Sequence, residues 1–134
     1  MRKTHPIRLR PSADLKKEIE AYVIANNIQG GWISSCVGSL TDYHIRFANQ
    51  PQGERHAGHF EIVSLTGTVS VNGCHLHISI SDSSGKTIGG HLLHSNLVYT
   101  TAEIIITEDD EFVFTREKDG TTPWEELQIR KKDQ

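Results

Sequence analysis
A basic surplus is the first thing this chain lacks. Its 134 residues carry 14 Lys and Arg against 17 Asp and Glu, a net charge of −3 with histidine neutral. Holding nucleic acid through its phosphates calls for a basic field, so strong nonspecific binding to DNA is not expected. The short basic cluster Arg130-Lys131-Lys132 reads as a solvated tail. Cysteine is scarce too. Cys36 and Cys74 both fall in apolar, strand-like stretches, where a free thiol behaves as a small hydrophobe. That usage implies a reduced, cytoplasmic protein without a structural disulfide. No apolar run approaches membrane-spanning length, no signal-peptide pattern opens the chain, and no repeat or low-complexity tract interrupts it. The expectation is one domain over residues 1–134, without a membrane partner and long enough for a sizeable core.

Period-two alternation dominates what is present. Thr4 to Arg10 reads as a first strand, ended by Pro11-Ser12. Leu15, Ile19, Tyr22 and Val23 then follow at helical spacing, so Ser12 to about Asn26 is expected to be an amphipathic helix, with Ser12 as N-cap and Asp14 in the first turn. Trp32–Val37 and Tyr43–Ala48 read as two strands with a turn at Gly38–Asp42. Asn49–Ala57 reads as a polar loop, able to rim a site with Arg55, His56 and the nearby His59. Phe60–Val71 is a long strand, or a pair broken at Gly67. Asn72-Gly73 is a type I′ hairpin signal leading into the next strand. Leu97–Thr107 reads as a central strand, Phe112–Thr115 as a further strand and Trp124–Ile129 as an edge strand or arm. Many strands and one good helix predict an α+β fold with a mostly antiparallel sheet.

The chemistry concentrates between Cys74 and Glu103. On the strand Cys74–Asp82, His75 and His77 share the polar face, while Leu76, Ile78 and Ile80 share the apolar one. Ser83-Ser84-Gly85 turns the chain back, and Gly89-Gly90 delivers His91. Paired as a hairpin, these segments assemble three imidazoles, a donor set suited to zinc or another divalent transition metal. The plain alternative is a wet strand face that carries histidines. Glu103 interrupts an apolar run and is either an ordinary paired carboxylate or a base near the pocket. His44 reads as a solvent-facing strand residue, and His94 falls outside the three-histidine set.

These residues carry a resemblance. Gly58-His59-Phe60-Glu61-Ile62, His75-Leu76-His77, Gly89-Gly90-His91-Leu92 and Thr100-Thr101-Ala102-Glu103 resemble the PPC (plants and prokaryotes conserved) domain, as do Arg8-Leu9-Arg10-Pro11 and Gly38-Ser39-Leu40 near the N-terminus. The resemblance implies a homotrimeric domain with a metal, zinc, on His75, His77 and His91. The loop and strand readings add Arg55, His59, Glu61 and Glu103 as a possible site rim or second shell. In plant members the domain follows DNA-binding AT-hooks, which this chain lacks, and His59 stands where the family motif usually has Arg. Three functions follow as expectations. The first is a metal-binding trimeric module that recognises a small molecule or a protein. The second is a DNA-binding regulator, which the acidity disfavours. The third is a metal-dependent hydrolase or lyase, for which Glu61, Glu103 and His94 are the candidate bases.

Overall fold
The alternating stretches form strands because each has one apolar face to bury, and the computed structural model, which describes residues 1–133, sets all of them antiparallel. The order is β1 (Arg2–Leu9), α1 (Leu15–Ala25), β2 (Gly31–Arg46), β3 (Glu54–Ser70), β4 (Gly73–Ser81), β5 (Thr87–Leu92), β6 (Leu97–Asp109), β7 (Phe112–Glu117) and β8 (Glu126–Lys131). Six strands make one sheet in the order β1-β6-β2-β3-β4-β5, and β5 also pairs with the end of β2. Strands β2, β3, β4 and β5 therefore close a ring of hydrogen-bonded neighbours. Strands β7 and β8 form a separate two-stranded sheet. The α+β expectation holds. Among the described residues no helix is long and apolar enough to cross a membrane.

Inside the ring lie Leu40, Ile45, Leu76, Ile80 and Leu92, and the helix adds Leu15, Ile19 and Val23, all essentially without solvent contact. Burying each such side chain contributes about 1.5–3 kcal/mol, and together they fix which face of every strand looks outward. Both cysteines are free. Burial, and secondarily Glu103, pushes the Cys36 thiol up to about 12.

Four local expectations need correction. The helix is capped by Asp14, whose carboxylate accepts from the Lys17 N–H at 3.2 Å. Ser12 instead takes φ +74 and spends its own N–H on the Val98 carbonyl. Trp32–Val37 and Tyr43–Ala48 are not two strands, because β2 runs unbroken through Gly38–Asp42 with register shifts there. Gly38 marks a close approach and not a turn: a Cβ there would lie 2.2 Å from the Thr101 carbonyl oxygen. Asn49–Ala57 is only partly loop, since β3 begins at Glu54. The β3–β4 hairpin exists, but Ser70 pairs with Gly73, so the turn residues are Val71 and Asn72. Gly73 takes φ +137 and Asn72 is not among the positive-φ residues, which excludes type I′, where both central residues need φ > 0.

Candidate metal centre
Alternation on β4 sends Leu76 and Ile78 inward and leaves His75 and His77 exposed. Strand β5 then lies alongside, with His91 directly opposite His77 and, on its other side, opposite Arg46 of β2. Glycine makes this insertion possible. A Cβ on Gly90 would sit 2.5 Å from the Arg46 carbonyl oxygen, and one on Gly89 would sit 2.6 Å from that of Ile78. Buried Asn96 pins the link that follows: its amide donates to the carbonyls of His44 and Leu93, and its oxygen accepts from the His44 N–H.

The three rings converge, with centroids 5.0 Å apart for His75 and His77, 5.4 Å for His75 and His91, and 5.8 Å for His77 and His91. One nitrogen from each lies within 4.8 Å of the others. Three nitrogens about 2.0–2.1 Å from a shared zinc ion in tetrahedral geometry would stand about 3.3 Å apart, inside the 4.8 Å limit within which these three lie. The electrostatics suit a metal. Burial, then the Arg46 guanidinium, brings the His91 pKa down to about 4. Burial and then Arg116 lower that of His75. Both rings stay neutral at neutral pH, the form that coordinates a cation. Among the described residues none of the three rings has a hydrogen-bond partner, nor has His59, whereas His5 has two and His44, His56 and His94 have one each. The donor set thus fits a divalent transition metal.

Walls rise around this floor. A cleft of about 750 Å³ is lined by Arg46, Cys74, His75, His91, Arg116, Trp124 and Glu126, among others. A smaller hollow of about 250 Å³ on the His77 side shares His75, Arg116 and Glu126 with it. Three of these walls, Arg116, Trp124 and Glu126, come from β7, β8 and the chain between them. That unit is docked at Phe114, whose N–H donates to the Gln29 carbonyl and whose carbonyl accepts from Ser70 and Asn72. Arg116 donates to Thr68 Oγ1 at 2.8 Å, and Glu126 accepts from Thr122 Oγ1 at 2.6 Å. Cys74 lines the cleft with a thiol whose pKa burial raises, and the cluster of converging donor atoms comprises His75, His77 and His91 without it.

The structure does not bring the expected rim residues to this floor. His59 and Glu61 line a different hollow, of about 430 Å³, with Val37, Tyr99 and Thr101, and the His59 ring lies 4.6 Å from that of Tyr99. Arg55 is exposed on β3 opposite His44. Glu103 is exposed on β6 between Arg8 and Val37, with Thr101 as its hydrogen-bond partner. His56 contacts Glu54, and His94 contacts Glu20 at 2.5 Å. His44 lies on the outward side of β2 between buried Tyr43 and Ile45, is half-buried, and donates from Nδ1 to the His94 carbonyl at 2.8 Å. Arg46, Arg116 and Glu126 escaped the sequence reading. The only signal for Arg46 is its register opposite His91, which requires knowing that β5 returns to β2.

Comparison with known proteins agrees with this architecture. The family model described as the Plants and Prokaryotes Conserved (PCC) domain matches residues 1–110. Two Synechococcus proteins named "Bifunctional protein GlmU" are each 39% identical, one over 129 and the other over 128 residues. The chain, 96% covered, spans only about a fifth of their length (21% and 20%). A solved structure of a hypothetical Salmonella protein is similar at 34% identity with a TM-score of 0.96, covering 98% of this chain and 96% of that one. Two others show the fold alone. One is a candidate DNA-binding protein from Bacteroides thetaiotaomicron, at 22% identity and TM-score 0.82, covering 93% of this chain and 91% of its own. The other is a metal-containing protein from Archaeoglobus fulgidus, at 24% identity and TM-score 0.77, covering 94% and 93%. With the family model spanning most of the sheet and every motif strand inside it, this chain belongs to the Plants and Prokaryotes Conserved (PCC) domain family.

Proposed function
We propose that this chain is a cytoplasmic, homotrimeric metal-binding module that holds one divalent transition metal, zinc, on His75, His77 and His91 and recognises a small molecule or a protein partner. One observation carries the reading: three imidazoles from two paired strands converge within 4.8 Å, and among the described residues no protein group satisfies their nitrogens. Bound there, such an ion would keep a fourth position open and polarise an oxygen ligand. The protein's own part is to aim three imidazole donors at one point. Trimer formation is supported by exposed apolar side chains on the outer sheet face: Val37 (57% exposed), Val63 (56%) and Tyr99 (44%). Closed symmetry would cover them in each copy.

The test is metal content of protein purified without chelator, together with its mass in solution. One equivalent of transition metal and a trimeric mass support the reading. A metal-free protein after incubation with zinc, or a stable monomer at micromolar concentration, contradicts the corresponding half. A hydrolase or lyase draws on Glu126, which lines both hollows beside His75, as its base. The DNA-binding reading is disfavoured. The net charge is −3, and α1 turns Leu15, Ile19 and Val23 into the core and presents a mixed-charge outer face.

A further inference from the structure
The charges around the three histidines do not balance, and the imbalance describes a ligand. Three neutral imidazoles give a divalent ion no compensating charge. The cleft beside them adds Arg46 and Arg116 against Glu125 and Glu126. With a divalent ion in place the total is about +2. Neither guanidinium has a carboxylate within ion-pair distance among the described residues. Arg116 is braced on Thr68, and Glu126 is occupied by Thr122. Arg46 is held at the floor by its backbone pairing with His91, and among the described residues its side chain has no hydrogen-bond partner. A guanidinium presents paired donors that match a carboxylate's two oxygens. The remaining large wall is the indole of Trp124, 71% exposed although apolar. The volume, about 750 Å³, is that of a small-molecule site.

We propose that this cleft binds a small organic carboxylate, its carboxylate lying between the three histidines and the guanidiniums of Arg46 and Arg116 and its flat apolar body lying on Trp124. The proposal rests on the metal reading above and adds the ligand's class to it. An apolar wall in the same cleft as the arginines distinguishes such a molecule from inorganic phosphate, which has nothing to place there.

The test uses the full chain loaded with cobalt(II), whose visible bands report a change of ligand at the ion. Cobalt stoichiometry is measured first, and then benzoate, benzamide and inorganic phosphate are titrated separately, by calorimetry and by absorbance. Benzoate is expected to bind and shift the cobalt bands, with benzamide and phosphate at least about tenfold weaker. Arg46→Gln combined with Arg116→Gln should weaken benzoate at least about tenfold at unchanged cobalt stoichiometry, and Trp124→Ala severalfold. Arg116→Lys, which keeps the charge, separates loss of the anion contact from loss of the brace on Thr68 and should retain part of the affinity. One cobalt per chain with no benzoate binding overturns this proposal alone. Phosphate equal to benzoate overturns the apolar-bodied class, and benzamide equal to benzoate overturns the carboxylate. Failure to take up cobalt overturns the metal reading and this proposal with it.

Discussion

The β4–β5 hairpin and the β7–β8 hairpin meet at the same cleft but are held by different forces. In β4–β5, Leu76, Ile78, Ile80 and Leu92 are buried in the ring and the histidines ride on the outer face. In β7–β8 no hydrophobic residue is fully buried, and Ile129 is 62% exposed. The second hairpin hangs on hydrogen bonds at Phe114 and on Arg116. The core therefore fixes the floor of the site, while a thinner set of polar contacts fixes its wall. This is an economical division: a metal needs donors set to a fraction of an ångström, whereas a ligand wall tolerates adjustment.

Core truncation should separate the two regions most. Leu76→Ala in β4 is expected to destabilise by about 2–5 kcal/mol, the range for a fully buried leucine. Ile129→Ala in β8 should stay within about 0.5 kcal/mol. Urea unfolding of both variants checks this, and equal losses would erase the distinction. A smaller effect is expected at Gly90, where an added Cβ meets the Arg46 carbonyl at 2.5 Å. Gly90→Ala should cost about 1–3 kcal/mol through forced backbone shifts and weaken metal binding as His91 moves, which calorimetry with zinc would register.

Acid should act on the floor and not on the wall. The His91 pKa is about 4 in the folded chain against an ordinary 6.5, so the unfolded chain takes up its proton first as pH falls. The contribution of His91 to the stability of the metal-free protein is then fully present above pH 6.5 and is lost progressively between 6.5 and 4. The lowered pKa of His75 acts in the same direction. Denaturation midpoints of wild type and His91→Gln, compared at several pH values in that window, isolate the contribution. A wild-type slope no steeper than that of the variant would contradict it. The smallest effect expected is on DNA. Binding of duplex DNA at physiological salt should be weak and indifferent to sequence, and a sequence-selective shift surviving about a thousandfold excess of competitor would reverse that expectation.

How much of this was legible in the sequence follows the same boundary. The His75–His77 pair, the glycines before His91 and the apolar face behind them are written in local alternation, so β4–β5 could be read without coordinates. Strand β2 could not, because Gly38-Ser39-Leu40-Thr41-Asp42 has turn composition and only the contact with Thr101 explains its glycine. The helix cap was misplaced for a related reason: Ser12 is tied to Val98, a partner far away in sequence. Arg46, Arg116 and Glu126 look like ordinary surface charges until the register of three separate strands brings them to one cleft. Arg55, His59, Glu61 and Glu103 are the converse, chemically suggestive residues that the same register carries elsewhere.

The central claim is that the outer face of β4–β5 holds one metal ion with three histidines. Elemental analysis of the wild type beside His77→Ala and His94→Ala, after equal exposure to zinc and gel filtration, tests it most directly. The account predicts one equivalent in the wild type and in His94→Ala and most of the metal lost from His77→Ala. Full occupancy in His77→Ala, or an empty His94→Ala protein, would contradict it.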